Sequence, residues 1–185
     1  MKNKDIKDPV KKPVIFTIGH STHPIDEFME LLKAHAIQEV ADVRTIPKSR
    51  HNPQFNEDDL KKSLRTAHVR YKHIKRLGGL RHTTKDSINL GWHNTSFRGY
   101  ADYMATPEFE EGLETLLKIA STKNTIIMCA EAVPWRCHRS LIADALTKKG
   151  WLVRDIMSHT SAVKHRLTPF LKVRKGQLIY PAPKT

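Results

Sequence analysis

Six side chains able to do chemistry fall within eleven consecutive positions of the 185-residue chain: Cys129, Glu131, Arg136, Cys137, His138 and Arg139. Three chemistries compete for them. In the first, Cys129 or Cys137 is a nucleophile, its thiolate favoured by a helix N-terminus and the nearby arginines. A phosphatase or sulfurtransferase loop would place an arginine six positions beyond its cysteine, and from Cys129 that position is Trp135. In the second, Cys129, Cys137 and His138 bind a metal with Glu131, although zinc ligands usually come in pairs spaced by roughly two to four residues. In the third, Glu131 is the acid/base carboxylate, Arg136 and Arg139 hold a phosphate, and the cysteines are small packing residues in the pocket wall. Spacing disfavours the simple forms of the first two, and the basic balance of the chain favours the third.

These residues need a frame. The apolar run Thr125-Ile126-Ile127-Met128 reads as a buried strand, and the segment after Pro134 reads as a helix that buries Leu141, Ile142, Ala145 and Leu146 and stops at Gly150. The reactive stretch would then sit at a strand end and a helix start. Upstream, Val14–Ile18 is a strand ending in Gly19-His20-Ser21-Thr22, followed by a helix with Phe28, Leu31 and Leu32 inward. Residues 37–43 form the next strand, with Asp42 and Arg44 at its end. A Pro-containing loop over 45–55 carries Ser49 and three basic residues, and Asn56 is positioned to cap a helix reaching Thr66. A strand over 69–74, a long polar loop over 80–97, a short helix over 97–104 and a Thr106-capped helix precede the reactive strand. The last interior strand is 151–157, and Gln177–Tyr180 reads as an edge strand.

Alternating strands and helices predict a single α/β domain over 13–160, a mainly parallel sheet with helices on both faces in a Rossmann-like three-layer arrangement. A basic arm would precede it over 1–12, and a basic extension over 161–185 would pack on or at its edge. Parallel strands share one carboxyl-terminal rim, so Gly19-His20-Ser21, Asp42 with Arg44, Cys129 with Glu131, and His159 should converge there. The Gly19–Thr22 turn could hold an anion with its amides, helped by the following helix dipole. Asp42 would be an acid/base group and Arg44 an anion clamp.

Lys plus Arg number 32 against 19 acidic residues, a formal net charge of +13, and the surplus concentrates between Arg44 and Arg81, with 11 basic residues against three acidic. Such a surplus draws polyanions, so the expected partner is nucleic acid or a phosphate-bearing small molecule. No apolar run is long enough to span a bilayer and none resembles a signal peptide, which points to the cytoplasm and to free thiols. The sequence leaves the cofactor unknown.

Taken in order, Thr17-Ile18-Gly19-His20-Ser21, Asp42-Val43-Arg44 with Pro47 and Ser49, Leu77-Gly78-Gly79, Phe97 through Tyr103, and Cys129-Ala130-Glu131 with Cys137-His138-Arg139 resemble the domain of unknown function 488 family over about residues 14–160. The resemblance implies one compact α/β domain and groups the rim motifs into one site, which brings in Ser49 and Tyr103 as ligand contacts. It names no substrate. The expected site is therefore Asp42, Glu131 and Cys129 for chemistry, with His20, Ser21, Arg44, Ser49, Tyr103, Arg136, His138 and Arg139 for binding. The alternative is a non-catalytic nucleic-acid-binding or metal-stabilised module.

Overall fold

A computed structural model describes residues 12–183. The basic arm expected at residues 1–12 lies, apart from Lys12, outside the described residues. Six strands form the central sheet in the order β3-β2-β4-β1-β5-β6. The strands are β1 (Val14–Gly19), β2 (Glu39–Asp42), β3 (Arg70–His73), β4 (Thr125–Cys129), β5 (Leu152–Ser158) and β6 (Ser161–Lys164). The first five are parallel, and β6 runs antiparallel against β5. Five α-helices cover the sheet: α1 (Ile25–Ala34), α2 (Glu57–Thr66), α3 (Thr95–Tyr103), α4 (Pro107–Ala120) and α5 (Arg139–Lys148).

Two apolar clusters, one on each side of the sheet, make this a three-layer α/β fold. On one side Phe28, Leu32, Leu60 and Leu64 from α1 and α2 pack on Ile18, Val40, Ile126 and Met128. On the other, residues of α3, α4 and α5 pack on Ile15, Ala41, Val43 and Ile127. Side-chain alternation sorts the strands between them, since Ile127 faces α5 and Met128 faces α1 and α2. Cys129 follows Ile127 by two residues and so points toward α5. Both β2 and β4 are buried along their whole length, as central parallel strands must be.

Local chemistry explains most boundaries. Thr106 accepts from the Phe109 amide and Pro107 opens α4, whose Phe109, Leu113, Leu116 and Ala120 form the expected buried stripe. Asn56 flanks α2, but its side chain does not cap the helix; its Oδ1 accepts instead from the Ser49 amide at 2.8 Å and braces the preceding loop. Asn94 is the side-chain cap that the sequence reading missed, accepting from the Ser96 and Phe97 amides. The polar loop before α3 is gathered by one carboxylate. Asp102 accepts from Ser87 Oγ at 2.6 Å, Asn89 Nδ2 at 2.8 Å, Thr83 Oγ1 at 2.9 Å and the Thr84 amide at 3.1 Å.

The C-terminal region departs from expectation. Residues 177–179 do not edge the main sheet; they form β8 (Gln177–Ile179) of a separate hairpin with β7 (Lys172–Arg174). The main sheet is edged by β6, which the sequence reading did not identify. Tyr180 fastens the hairpin: it is buried, and its hydroxyl donates to Asp144 of α5 at 3.0 Å. His165 bonds the other Asp144 oxygen at 2.8 Å and lies 3.8 Å from Asp155.

Candidate functional site

At the carboxyl ends of β1, β2 and β4 lies a cleft of about 400 Å³. It is open to solvent at the crevice where parallel sheets seat their ligands. Close approach of two backbones shapes it. The Gly19 Cα lies so near the Glu131 carbonyl that any Cβ there would collide with it. Across the cleft, a Cβ on Gly79 would meet the His138 ring at 3.0 Å, so Gly78-Gly79 lets that loop pass beside His138.

On the α5 side, a buried guanidinium meets two buried thiols. Arg139 is 1% exposed. Its Nη1 donates to Cys129 Sγ at 2.7 Å and to the Glu131 carbonyl, and its Nη2 donates to the Ala132 carbonyl at 2.8 Å. Among the described residues its Nε–H has no partner and it forms no ion pair with a carboxylate. A buried cation needs a counter-charge, and the group in contact able to supply one is the Cys129 sulfur. Burial pushes the Cys129 thiol up, but the hydrogen bond from Cys137 and the Arg139 charge outweigh it and bring it down to about 7. Cys137, donating toward Cys129 across a 2.7 Å Sγ–Sγ distance and itself buried, is held well above the ordinary thiol range. Both cysteines are free.

His138 completes the cluster. Its Nε2 lies 2.9 Å from the Val43 carbonyl, which can only accept, so Nε2 carries the hydrogen and Nδ1 presents a lone pair to Cys137 Sγ at 3.6 Å. Burial lowers its pKa to about 4, so the ring is neutral at pH 7. The Tyr100 ring stands 5.0 Å from it, with the hydroxyl tied to the Leu77 carbonyl at 2.8 Å.

A second network forms the opposite wall. Asp42 is fully buried and accepts from Arg44 Nη2 at 2.6 Å, Arg44 Nε at 3.0 Å and Tyr71 Oη at 2.8 Å. Arg44 Nη2 also donates to the Phe55 carbonyl at 2.9 Å, while Nη1 points at His20 Nε2, 3.3 Å away. A guanidinium cannot accept, so His20 Nε2 must, leaving Nδ1–H to donate to the Ser21 carbonyl at 2.9 Å. His20 stacks on Phe55 and is held at about 4, chiefly by burial. Burial opposes the Arg44 charge as well, but Asp42 more than offsets it and keeps Arg44 above its ordinary value.

Among the sequence candidates, His20, Arg44, Ser49, Cys129, Glu131, Arg136, Cys137 and His138 line the cleft. Asp42 does not; it is buried, with its oxygens taken by Arg44 and Tyr71. Arg139 lies beneath the floor, behind Cys129. Ser21 lines no part of the cleft, and in the expected anion-binding turn the His20 and Ser21 amides donate to the Cys129 and Ala130 carbonyls at 2.8 and 2.9 Å. Tyr103 lies outside, its hydroxyl on the Arg76 carbonyl and its ring under the Arg81 guanidinium at 3.6 Å. His159 pairs with Glu30 at 3.6 Å, away from the cleft. Glu131 does not share a strand face with Cys129, because β4 ends at Cys129; its carbonyl serves Arg139 while its exposed carboxylate sits at the rim. The conditional metal set is not assembled: among the described residues no group of three or more His, Cys, Asp or Glu is arranged to hold a metal ion.

The sequence reading missed two exposed apolar residues at the mouth, Ile46 and Leu80. Leu80 holds a left-handed φ of 56°. Leucine adopts that conformation at a cost of about 1 kcal/mol or more, and strain of this kind gathers around ligand sites. A leucine in a polar segment gives no sequence signal for it.

Residues 24–146 match the family described as "Domain of unknown function DUF488", roughly two-thirds of the chain. The chain belongs to the DUF488 family. The match takes in Arg44, Cys129, Cys137, His138 and Arg139 and leaves out β1 with His20. No curated protein and no solved structure matches the chain. No helix among the described residues is long and apolar enough to cross a membrane.

Proposed function

We propose that this DUF488 protein binds a phosphate-bearing ligand, nucleic acid foremost, in the strand-end cleft and transfers or hydrolyses a group on it with Cys129 as nucleophile. The observation that carries this reading is the Arg139–Cys129 pair: a buried guanidinium whose contacting counter-charge is a thiolate, under a cleft open to solvent. Among the described residues three cations line that cleft, Arg44, Lys48 and Arg136, against one carboxylate, Glu131. A bound anion would find Lys48 and Arg136 exposed at the rim. Cys129 would attack an electrophilic centre held above it, and Glu131 is the rim group placed to exchange a proton with the leaving group or an incoming water. Two buried free cysteines fit a reducing compartment, so we place the protein in the cytoplasm.

A labelled single-stranded oligonucleotide titrated at rising salt tests the binding half. Affinity should fall steeply with salt and weaken in Lys48→Ala and Arg136→Ala; no binding at low salt would remove this reading. The burial of Cys129, at 1% exposed, favours a second reading in which the cysteines only pack and the protein is a non-catalytic nucleic-acid-binding module. Under that reading, Cys129→Ser binds the oligonucleotide as well as the wild type, and Cys129 in the folded protein resists small alkylating agents.

A further inference from the structure

The structure assigns Cys129 and Cys137 a second chemistry, independent of the ligand in the cleft: a hydroperoxide-reactive dithiol that closes reversibly to a disulfide. Their sulfurs are 2.7 Å apart, inside van der Waals contact, on two segments held by main-chain bonds. Cys129 ends β4, with its carbonyl bound by the His20 amide at 2.8 Å; the Cys137 amide donates to the Pro134 carbonyl at 3.0 Å. The pair is chemically unequal. Cys129 has the guanidinium of Arg139 at 2.7 Å, whereas among the described residues no side-chain cation donates to Cys137, which faces the His138 Nδ1 lone pair at 3.6 Å. Attacking and resolving roles follow from that asymmetry.

Access selects the oxidant. Cys129 and Cys137 are 1% and 5% exposed at the floor of the cleft, so access favours a small hydroperoxide over a bulky disulfide. The Cys129 thiolate attacks one oxygen of hydrogen peroxide; the S–O bond forms, the O–O bond breaks, and the departing hydroxide takes back from solvent the proton that Cys129 released on ionising, leaving as water. Cys129 is now a sulfenic acid. The Cys137 sulfur then attacks Cys129 Sγ as its proton passes to His138 Nδ1; the S–S bond forms, the S–O bond breaks, and the hydroxyl leaves as water with that proton. Two thiols and one peroxide give one disulfide and two waters. Closure also removes the thiolate that balances Arg139, so the oxidised protein has no nucleophile at this site.

The full-length reduced protein, treated with one equivalent of hydrogen peroxide at pH 7 and quenched with iodoacetamide, tests the assignment by intact mass and peptide mapping. The expected product is lighter by about 2 Da, contains one peptide pair joined through Cys129 and Cys137, and returns to the dithiol on reduction. Cys137→Ser should stop at a sulfenic acid on Cys129, heavier by about 16 Da and trapped by dimedone. In His138→Gln, sulfenic acid should form at the wild-type rate and the disulfide should close more slowly. Wild-type protein that accumulates sulfenic or sulfinic acid at Cys129 without the joined peptide, or keeps both thiols alkylatable, overturns the assignment. The wild-type peptide map decides this even if a variant fails to fold.

Discussion

Replacing Arg139 with glutamine removes the charge and most of the donors under Cys129 while keeping a polar side chain of moderate length. With Arg139 present, a thiol at about 7 is half ionised at pH 7. Without it, burial is opposed mainly by the Cys137 hydrogen bond, and the thiol returns to its ordinary value of 9.0 or above. The thiolate fraction at pH 7 then falls to about 1%, so alkylation of Cys129 by iodoacetamide should slow by roughly 50-fold. The assay follows alkylation rate against pH with the modified peptide identified, and circular dichroism confirms that the variant is folded. The rate midpoint should move from about 7 to 9 or higher, and the two proteins should converge in rate near pH 10. Arg139→Lys, which keeps the charge but not the fork, should recover part of the shift. A folded Arg139→Gln protein alkylated at the wild-type rate with its midpoint still near 7, or a wild type whose midpoint lies near 9, would refute the reasoning.

The remaining predictions concern stability. Cys129→Ser leaves a buried guanidinium without its counter-charge and should cost about 3–5 kcal/mol in urea unfolding; Cys137→Ser should cost about 1 kcal/mol, and equal losses would argue against an ion pair. Gly19→Ala drives a Cβ into the Glu131 carbonyl and should cost about 3 kcal/mol, the upper range for overpacking; a near-neutral effect would mean the β4–α5 loop is free to retreat. Burial opposes the charge on His165, but Asp144 and Asp155 hold its pKa at about 9 with the Tyr180 hydroxyl on the far Asp144 oxygen. A raised folded pKa gives stability that is complete below the unfolded value of 6.5 and is lost as pH rises through 9, about 3 kcal/mol in all. His20 and His138, lowered to about 4 by burial, act oppositely: their contribution is present above 6.5 and is lost as pH falls toward 4. Unfolding free energy should therefore fall on the acid side of pH 6.5, while between pH 7 and 9 the loss at His165 is offset by the gain from the lowered Cys129 thiol, and His165→Gln should leave a net rise across that interval.

The five parallel strands and the helices between them were legible because each apolar run has one period and clear punctuation. Val14–Ile18 is a compact β-branched and aromatic run ended by Gly19, α4 repeats every three or four residues, and Thr106-Pro107 announces its start. The edge strand β6 was not legible: Ser161-Ala162-Val163-Lys164 is short and half polar, and its hairpin from β5 turns on Ser, His and Thr rather than glycine. The site was legible as a place, since strand ends in a parallel sheet must share a rim. Its internal roles were not. Residue type ranked Glu131 and Asp42 first, yet β4 stops two residues before Glu131, and Asp42 is consumed by Arg44 and Tyr71. Arg139 looked like a phosphate ligand because arginine usually is one; only the structure puts it buried behind Cys129 with Nη1 on the sulfur.

The central claim joins an anion-binding rim to a reactive thiolate, and one measurement addresses both: the rate of Cys129 alkylation by iodoacetamide at pH 7 and low salt, with and without a single-stranded oligonucleotide. The account predicts fast alkylation that the oligonucleotide slows several-fold, with the protection lost at high salt and in Lys48→Ala and Arg136→Ala. Alkylation that is unchanged by the oligonucleotide at every salt concentration, or absent from the folded protein altogether, would contradict it.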